Sequence, residues 1–298
     1  MIDPLKIWHT QQVKNLLTDF FKANFAQSGI DESIGQGIVD MSWEARDRKG
    51  SLDEKRQVID QKFQNAKQLV TNKITEANSI DLFDYSNVKT YLDVGANKLD
   101  TINYLSTKYS NIEKFIGIDI IPQKGVFLKP DKCVYYQTDP DASEFPIESN
   151  SVDLINIQFV FHHFENLDAI KRMLQNCKQA LNKGGRLILW EETFVDQVDI
   201  DSLCSGNQKI NIQTDKEFTK RFYDLTTEQR WEFIIANDWI INVKNPHMPW
   251  TGQYYKWSEW KELLSQYSLE LNKELNLGLR INGRLKQGVH ILGEFISR

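Results

Sequence analysis

Apolar positions along the chain change their period between its first third and the rest. Val13, Leu16, Leu17, Phe20 and Phe21 recur at helical spacing, with Lys14, Asn15, Thr18 and Asp19 between them. A second stripe runs through Ile59, Phe63, Ala66, Val70 and Ile74. Ahead of it, Ser51-Leu52-Asp53-Glu54 reads as a capping box, in which the serine hydroxyl and the glutamate carboxylate each satisfy a free amide of the first turn. The pattern predicts an amphipathic helical extension over residues 1–85 that packs on a larger domain.

From residue 88 short apolar runs alternate with helical segments, the signature of βαβ units and a mostly parallel sheet. Strands are predicted at Thr90–Gly95, Lys114–Asp119, Cys133–Thr138, Val152–Phe159 and Arg186–Trp190. A helix from Leu99 to Tyr109 follows the first strand. Another carries Ile170, Leu174, Cys177 and Leu181 on one face and is stopped by Lys183-Gly184-Gly185. Residues 191–256 break this rhythm and read as an insert. Beyond it lie a helix over Trp257–Tyr267, with Trp260, Leu263 and Leu264 inward, and two strands, Leu269–Leu279 and Gly288–Ile296, with Asn282-Gly283 as a turn between them.

Composition narrows the class. With 298 residues, 41% of them hydrophobic, the chain can bury a large α/β core with insertions. A net charge of -5 argues against broad electrostatic binding of nucleic acid. Local basic groups remain, at Lys216, Lys220 and Arg221 and at Arg280, Arg284 and Lys286, and they offer phosphate contacts. No apolar run is long enough for a membrane span, and Met1-Ile2-Asp3-Pro4 does not begin a secretory signal. Cys133, Cys177 and Cys204 are far apart and form no Cys-x-x-Cys. They predict reduced thiols in a cytoplasmic protein and no metal site.

Candidate chemistry gathers at the strand ends. Gly95 follows the first strand, where a glycine lets backbone approach a ligand, and the next helix presents free amides to an anion. Asp119 closes the second strand, where a carboxylate can accept both hydroxyls of a ribose. Gly95 and Asp119 together point to a nucleoside-containing cofactor.

Read with Asp139-Pro140-Asp141-Ala142-Ser143-Glu144-Phe145-Pro146, Phe161-His162-His163-Phe164 and Leu181-Asn182-Lys183-Gly184-Gly185-Arg186, the sequence resembles the class I S-adenosylmethionine-dependent methyltransferases. The motifs cover residues 88–192; the layout alone extends the likeness over 257–296. The resemblance implies a doubly wound α/β fold with a seven-stranded, mostly parallel sheet and helices on both faces. It implies a domain over 86–298, with 191–256 as a substrate-side insert.

It also implies S-adenosyl-L-methionine as cofactor. Asp93 and Gly95 match the motif facing the methionine part, and Asp119 the acid on the ribose. Asp141 matches the acid near the adenine amino group, with Asp139 as its rival, and Ala142 would offer its amide to the ring. Gln158 and Phe159 match the strand end along the cofactor. Asn97 and Leu99 stand where the family has its second and third glycines, so Leu99 is expected to bring bulk near the amino-acid tail.

Methyl transfer needs in-line positioning and an outlet for a proton, not a strong base. His162, His163 and Glu191 are the candidate proton acceptors. The acceptor is expected to be a small molecule or nucleotide-like compound under the aromatic insert, with His247, Trp250, Tyr254 and Tyr255 as its wall. An RNA or RNA-cap methyltransferase and a non-catalytic, stimulatory subunit of the same fold are the alternatives. The sequence leaves the oligomeric state open. A nicotinamide oxidoreductase is disfavoured, because no Gly-x-Gly-x-x-Gly follows the first strand.

Overall fold

The computed structural model describes residues 10–47, 54, 82–143, 145–242, 252–281 and 288–298. The capping box at 51–54, the stripe from Ile59 to Ile74 and the turn at Asn282-Gly283 lie outside these residues or rest on them only at position 54.

Strands β1 (Thr90–Val94), β2 (Lys114–Asp119), β3 (Cys133–Gln137), β4 (Val152–Gln158), β5 (Leu181–Glu192), β6 (Leu269–Gly278) and β7 (His290–Ser297) form one seven-stranded sheet in the order β3-β2-β1-β4-β5-β7-β6. All pairings among the first five are parallel, and the sheet becomes mixed at the β7–β6 edge. The order reverses between β1 and β4, which pair in register from Tyr91↔Leu154 to Val94↔Ile157. A crevice opens beyond the carboxyl ends of strands at such a reversal, and ligands of doubly wound sheets sit there.

The described α-helices are α1 (Gln11–Gln27), α2 (Glu32–Asp47), α3 (Asp100–Lys108), α4 (Leu167–Ala180), α5 (Ile200–Lys209), α6 (Lys216–Tyr223), α7 (Thr227–Asn242) and α8 (Trp257–Ser265), with short 3-10 turns at Pro130–Lys132 and Phe161–His163. None is long and apolar enough to cross a membrane. On α4 the periodicity is realised directly: Asn166 caps it by accepting from the Ala169 amide, and Ile170, Met173, Leu174 and Cys177 are buried. Lys183-Gly184-Gly185 does not stop this helix, which ends at Ala180. The next residue enters β5, whose register against β4 shifts between Val152 and Leu154. Gly184 turns there with φ +73, while Asn182 donates to Asp153 Oδ1, 2.7 Å away. The other oxygen of Asp153 accepts the Lys89 and Thr90 amides, so one carboxylate fixes the starts of both β1 and β5.

The chain divides into two compact units. One comprises residues 76–191, 249–275 and 291–298; its core is the apolar interior of the sheet, with Phe115, Ile116, Leu154, Ile155, Leu187 and Leu189 buried. The other comprises residues 1–75, 192–248 and 276–290. Its core is aromatic: Phe20 of α1 lies edge-on to Phe218 of α6 and Phe233 of α7, with ring centroids 5.7 and 6.1 Å away.

Candidate cofactor site at the β1–β4 switch

The turn after β1 takes an alternating left-handed path. Gly95, Asn97 and Leu99 have φ of +75, +41 and +67, so all three positions where the family places glycine keep the conformation glycine favours. Only Gly95 is also confined sterically. A Cβ there would stand 2.4 Å from Val160 Cγ2. Asparagine tolerates the left-handed region; Leu99 is strained in it by about 1–2 kcal/mol.

The side chain of Leu99 departs from expectation. It is wholly buried in protein, and its Cγ lies 3.2 Å from where a Cβ on Gly125 would stand. It packs against Gly125, in the segment after β2.

Asp119 closes β2 beside this turn. Its Oδ2 accepts the Asn97 amide at 2.8 Å, and its Oδ1 accepts the Ile121 amide at 3.3 Å. Asp93, inside β1, is buried. It accepts from Asn156 Nδ2 at 2.8 Å and from the Tyr91 hydroxyl at 3.4 Å. Burial outweighs these hydrogen bonds and pushes its carboxyl up to about 7.

At the next corner Asp141 is accessible, and the Ser143 amide on its Oδ1 holds its carboxyl below the usual range. Ala142 has φ +58, but its amide is already used: it donates to the Asp139 carbonyl at 3.0 Å, and Asn176 holds the Ala142 carbonyl. The amide expected to meet a ring closes a turn instead. Gln158 and Phe159 follow at the end of β4. Phe159, with φ +55, donates to the Trp190 carbonyl at 2.8 Å and lays its ring 5.0 Å from that indole.

The three candidate proton acceptors are not equivalent. Glu191 is 1% exposed and fully engaged. Its Oε1 accepts the Val160 and Phe161 amides at 3.1 and 2.8 Å, and its Oε2 lies 2.7 Å from His162 Nδ1. His162 is buried and stacks on Tyr254, with centroids 5.3 Å apart and planes 11° from parallel. This pair braces the turn over 160–163 and does not stand at an open rim as the sequence suggested. His163, half-buried with its ring 4.0 Å from that of His162, is the member with solvent access.

Of the proposed acceptor wall, Tyr254 is buried against His162, and Tyr255 is half-buried with its hydroxyl 2.9 Å from Gln253 Oε1. His247 and Trp250 lie outside the described residues. Of the basic groups read as phosphate contacts, Lys220 is exposed and three others are engaged or buried. Lys216 pairs with Asp201 at 2.5 Å and Arg221 with Asp19 at 2.6 Å, while Arg280 is buried. Arg284 and Lys286 lie outside the described residues. A feature that sequence reasoning missed is the bracing role of Glu191; no local pattern marks a carboxylate that caps a turn thirty-odd residues upstream.

The residues at the switch fit an adenosyl cofactor: a glycine turn into which no Cβ fits, a strand-end carboxylate beside it and an accessible acid at the third strand's exit. Residues 92–189 match the family model described as a methyltransferase domain. No curated protein matches the chain. Among solved structures, it is similar to the TehB-like SAM-dependent methyltransferase of Corynebacterium glutamicum, at 14% identity over 79% of this chain and 95% of that one, with a TM-score of 0.46. It is similar to the mitomycin 7-O-methyltransferase MmcR at 12% identity over 89% and 67%, with a TM-score of 0.49. It is also similar to the N-methyltransferase NodS of Bradyrhizobium japonicum at 12% identity over 78% and 95%, with a TM-score of 0.41. These likenesses carry no information on the acceptor. Over its matched segment the chain is thus similar to the methyltransferase domains, and the strand order that frames this segment is that of a doubly wound sheet.

Proposed function

We propose that this protein is an enzyme that transfers the methyl group of S-adenosylmethionine to a small-molecule or nucleotide-like acceptor. The observation that carries the reading is Asp119 at the end of β2, 2.8 Å from the amide of Asn97 in the left-handed turn after β1. Asp119 would take the ribose hydroxyls, Gly95 and Asn97 the amino-acid end, and Asp141 the adenine end, with Gln158 and Phe159 along the middle. Asp93 supports the turn from within β1. When bound, the cofactor supplies a sulfonium methyl that is already electrophilic. The protein's task is therefore to align the acceptor and receive its proton. His163 is the candidate for that proton, since Glu191 and His162 are spent on each other and on the turn.

In this reading residues 86–298 form the methyltransferase domain, 1–85 an extension and 191–256 a substrate-side insert; the three unpaired thiols favour the cytoplasm. A non-catalytic binding subunit is the second reading, favoured by the engagement of Glu191 and His162. Turnover of any acceptor removes it.

Calorimetry tests the cofactor assignment. The unmodified chain should bind S-adenosylmethionine and S-adenosylhomocysteine, and Asp119→Ala should weaken both by roughly 2–3 kcal/mol through loss of charge-assisted hydrogen bonds. Absence of binding by the unmodified, folded chain would overturn the proposal.

A further inference from the structure

The sheet buries a carboxyl near its switch point without giving it a positive charge. Asp93 is 4% exposed. Its two hydrogen-bond donors, Asn156 Nδ2 at 2.8 Å and the Tyr91 hydroxyl at 3.4 Å, both meet Oδ1. Among the described residues, Oδ2 has no donor and the carboxyl has no cationic partner. Strand register fixes what else faces it. Asp93 pairs with Gly117 of β2 and with Asn156 of β4. Partners in a parallel pair share a face, and so do residues two apart on one strand. Tyr91, Asp93, Asn156 and Asp119 therefore project from one face of the sheet. Of the titratable groups that reach Asp93, Asp119 on β2 opposes its ionisation and the Tyr91 hydroxyl on its own strand favours it, while β4 supplies only the neutral Asn156. Two neutral donors on one oxygen do not repay the burial, and the carboxyl is raised to about 7.

A buried carboxylate is ordinarily paired with a cation, and an asparagine of the same shape would avoid its desolvation altogether. Here a ligand can supply the missing charge. Asp93 stands two residues before Gly95, where the proposed function seats the amino-acid end of S-adenosylmethionine. That end carries an ammonium and adjoins the sulfonium. We infer that Asp93 is the buried counter-charge for the cationic end of the cofactor, giving up a proton to solvent when the cofactor binds and recovering it on release. The inference rests on the function proposed above and adds to it a residue that sets ligand preference. Its consequence is a choice between ligands that share an adenosine half. An uncharged adenosine thioether gains nothing from an ionised Asp93, whereas the cationic cofactor does. Preference for the cofactor should therefore strengthen as pH rises through the range in which Asp93 loses its proton.

The test is calorimetry on the full chain with S-adenosylmethionine and with methylthioadenosine, which keeps the adenosine and the sulfur but lacks both positive charges. Titrations in buffers of different ionisation enthalpy count the protons released. If the ligand's charge lowers the Asp93 titration by about one pH unit, S-adenosylmethionine should release about half a proton near pH 6.5 and methylthioadenosine none. The ratio of the two affinities should then rise roughly fivefold between about pH 5.5 and pH 7.5 in favour of the cofactor. Asp93→Asn should abolish the proton release and flatten the ratio. Asn156→Leu removes the amide that favours the ionised carboxyl, so it should move the rise to higher pH; it serves if Asp93→Asn does not fold. No binding of S-adenosylmethionine by the unmodified, folded chain would overturn the cofactor reading and this inference together. Binding without proton release, or with equal release by both ligands, would overturn this inference alone. Proton release that persists unchanged in Asp93→Asn would do the same and assign the proton to another group.

Discussion

At Gly95 backbone conformation and packing both constrain the residue. It combines a left-handed backbone with contact against Val160. Gly95→Ala should cost about 1–2 kcal/mol in backbone strain and about 1–3 kcal/mol in overpacking, lowering the melting temperature and removing cofactor binding together. Adding Val160→Ala should recover part of the stability, which thermal melts of the single and double variants would reveal. Asp93 predicts a pH effect. Its carboxyl is raised to about 7, so between its ordinary value of 3.8 and about 7 the folded chain retains a proton that the unfolded chain has released. The stabilisation is complete below the ordinary value and lost as pH rises through about 7. Unfolding by urea at about pH 5 and pH 8 should show a decline of about 2–3 kcal/mol that Asp93→Asn flattens. An equal decline in both proteins would assign it to other groups.

Elements here are held by carboxylates that reach across sequence. Glu191, at the end of β5, satisfies two amides of the turn after β4 and the ring of His162. Glu191→Ala should leave those amides unmet and cost about 2–4 kcal/mol, while Glu191→Gln, which keeps an accepting oxygen, should cost less. Melting temperatures that do not separate the two variants would count against this bracing role. The α4–β5 junction shows the limit of local rules. Its glycines suggested a helix stop, whereas the helix had already ended, and the glycines shape an irregularity in β5 pinned by Asp153. Only the pairing partner shows which residue is in excess.

For the molecule as a whole, charge is the property that the sequence states most directly. With a net charge of -5 and several basic groups paired internally, non-specific RNA should bind more weakly than about 10⁻⁵ M at physiological salt. Filter binding showing tight, steeply salt-dependent association would contradict this and favour the RNA acceptor. The two compact units are also a property of the whole chain: residues 1–75 fall with 192–248 and 276–290. The edge-on contacts of Phe20 with Phe218 and Phe233 show the packing that unites these distant segments.

The sequence by itself determined the parallel strands and the helices between them, because period and turn chemistry are local. β2 runs from Lys114 to Asp119 as its apolar run implied, and β1 to β5 pair in parallel as the alternation of strands and helices implied. It also marked Gly95 and Asp119, which follow strands whose ends are legible. It did not reveal the three helices α5, α6 and α7 as elements. α7 is buried on several sides and carries apolar residues around its circumference, so it has no single stripe to read. Tertiary structure alone decided where side chains turn: Leu99 into the protein, Ala142's amide into a turn and Glu191 onto backbone. Each outcome depends on which distant atom stands opposite, and sequence spacing holds no record of that.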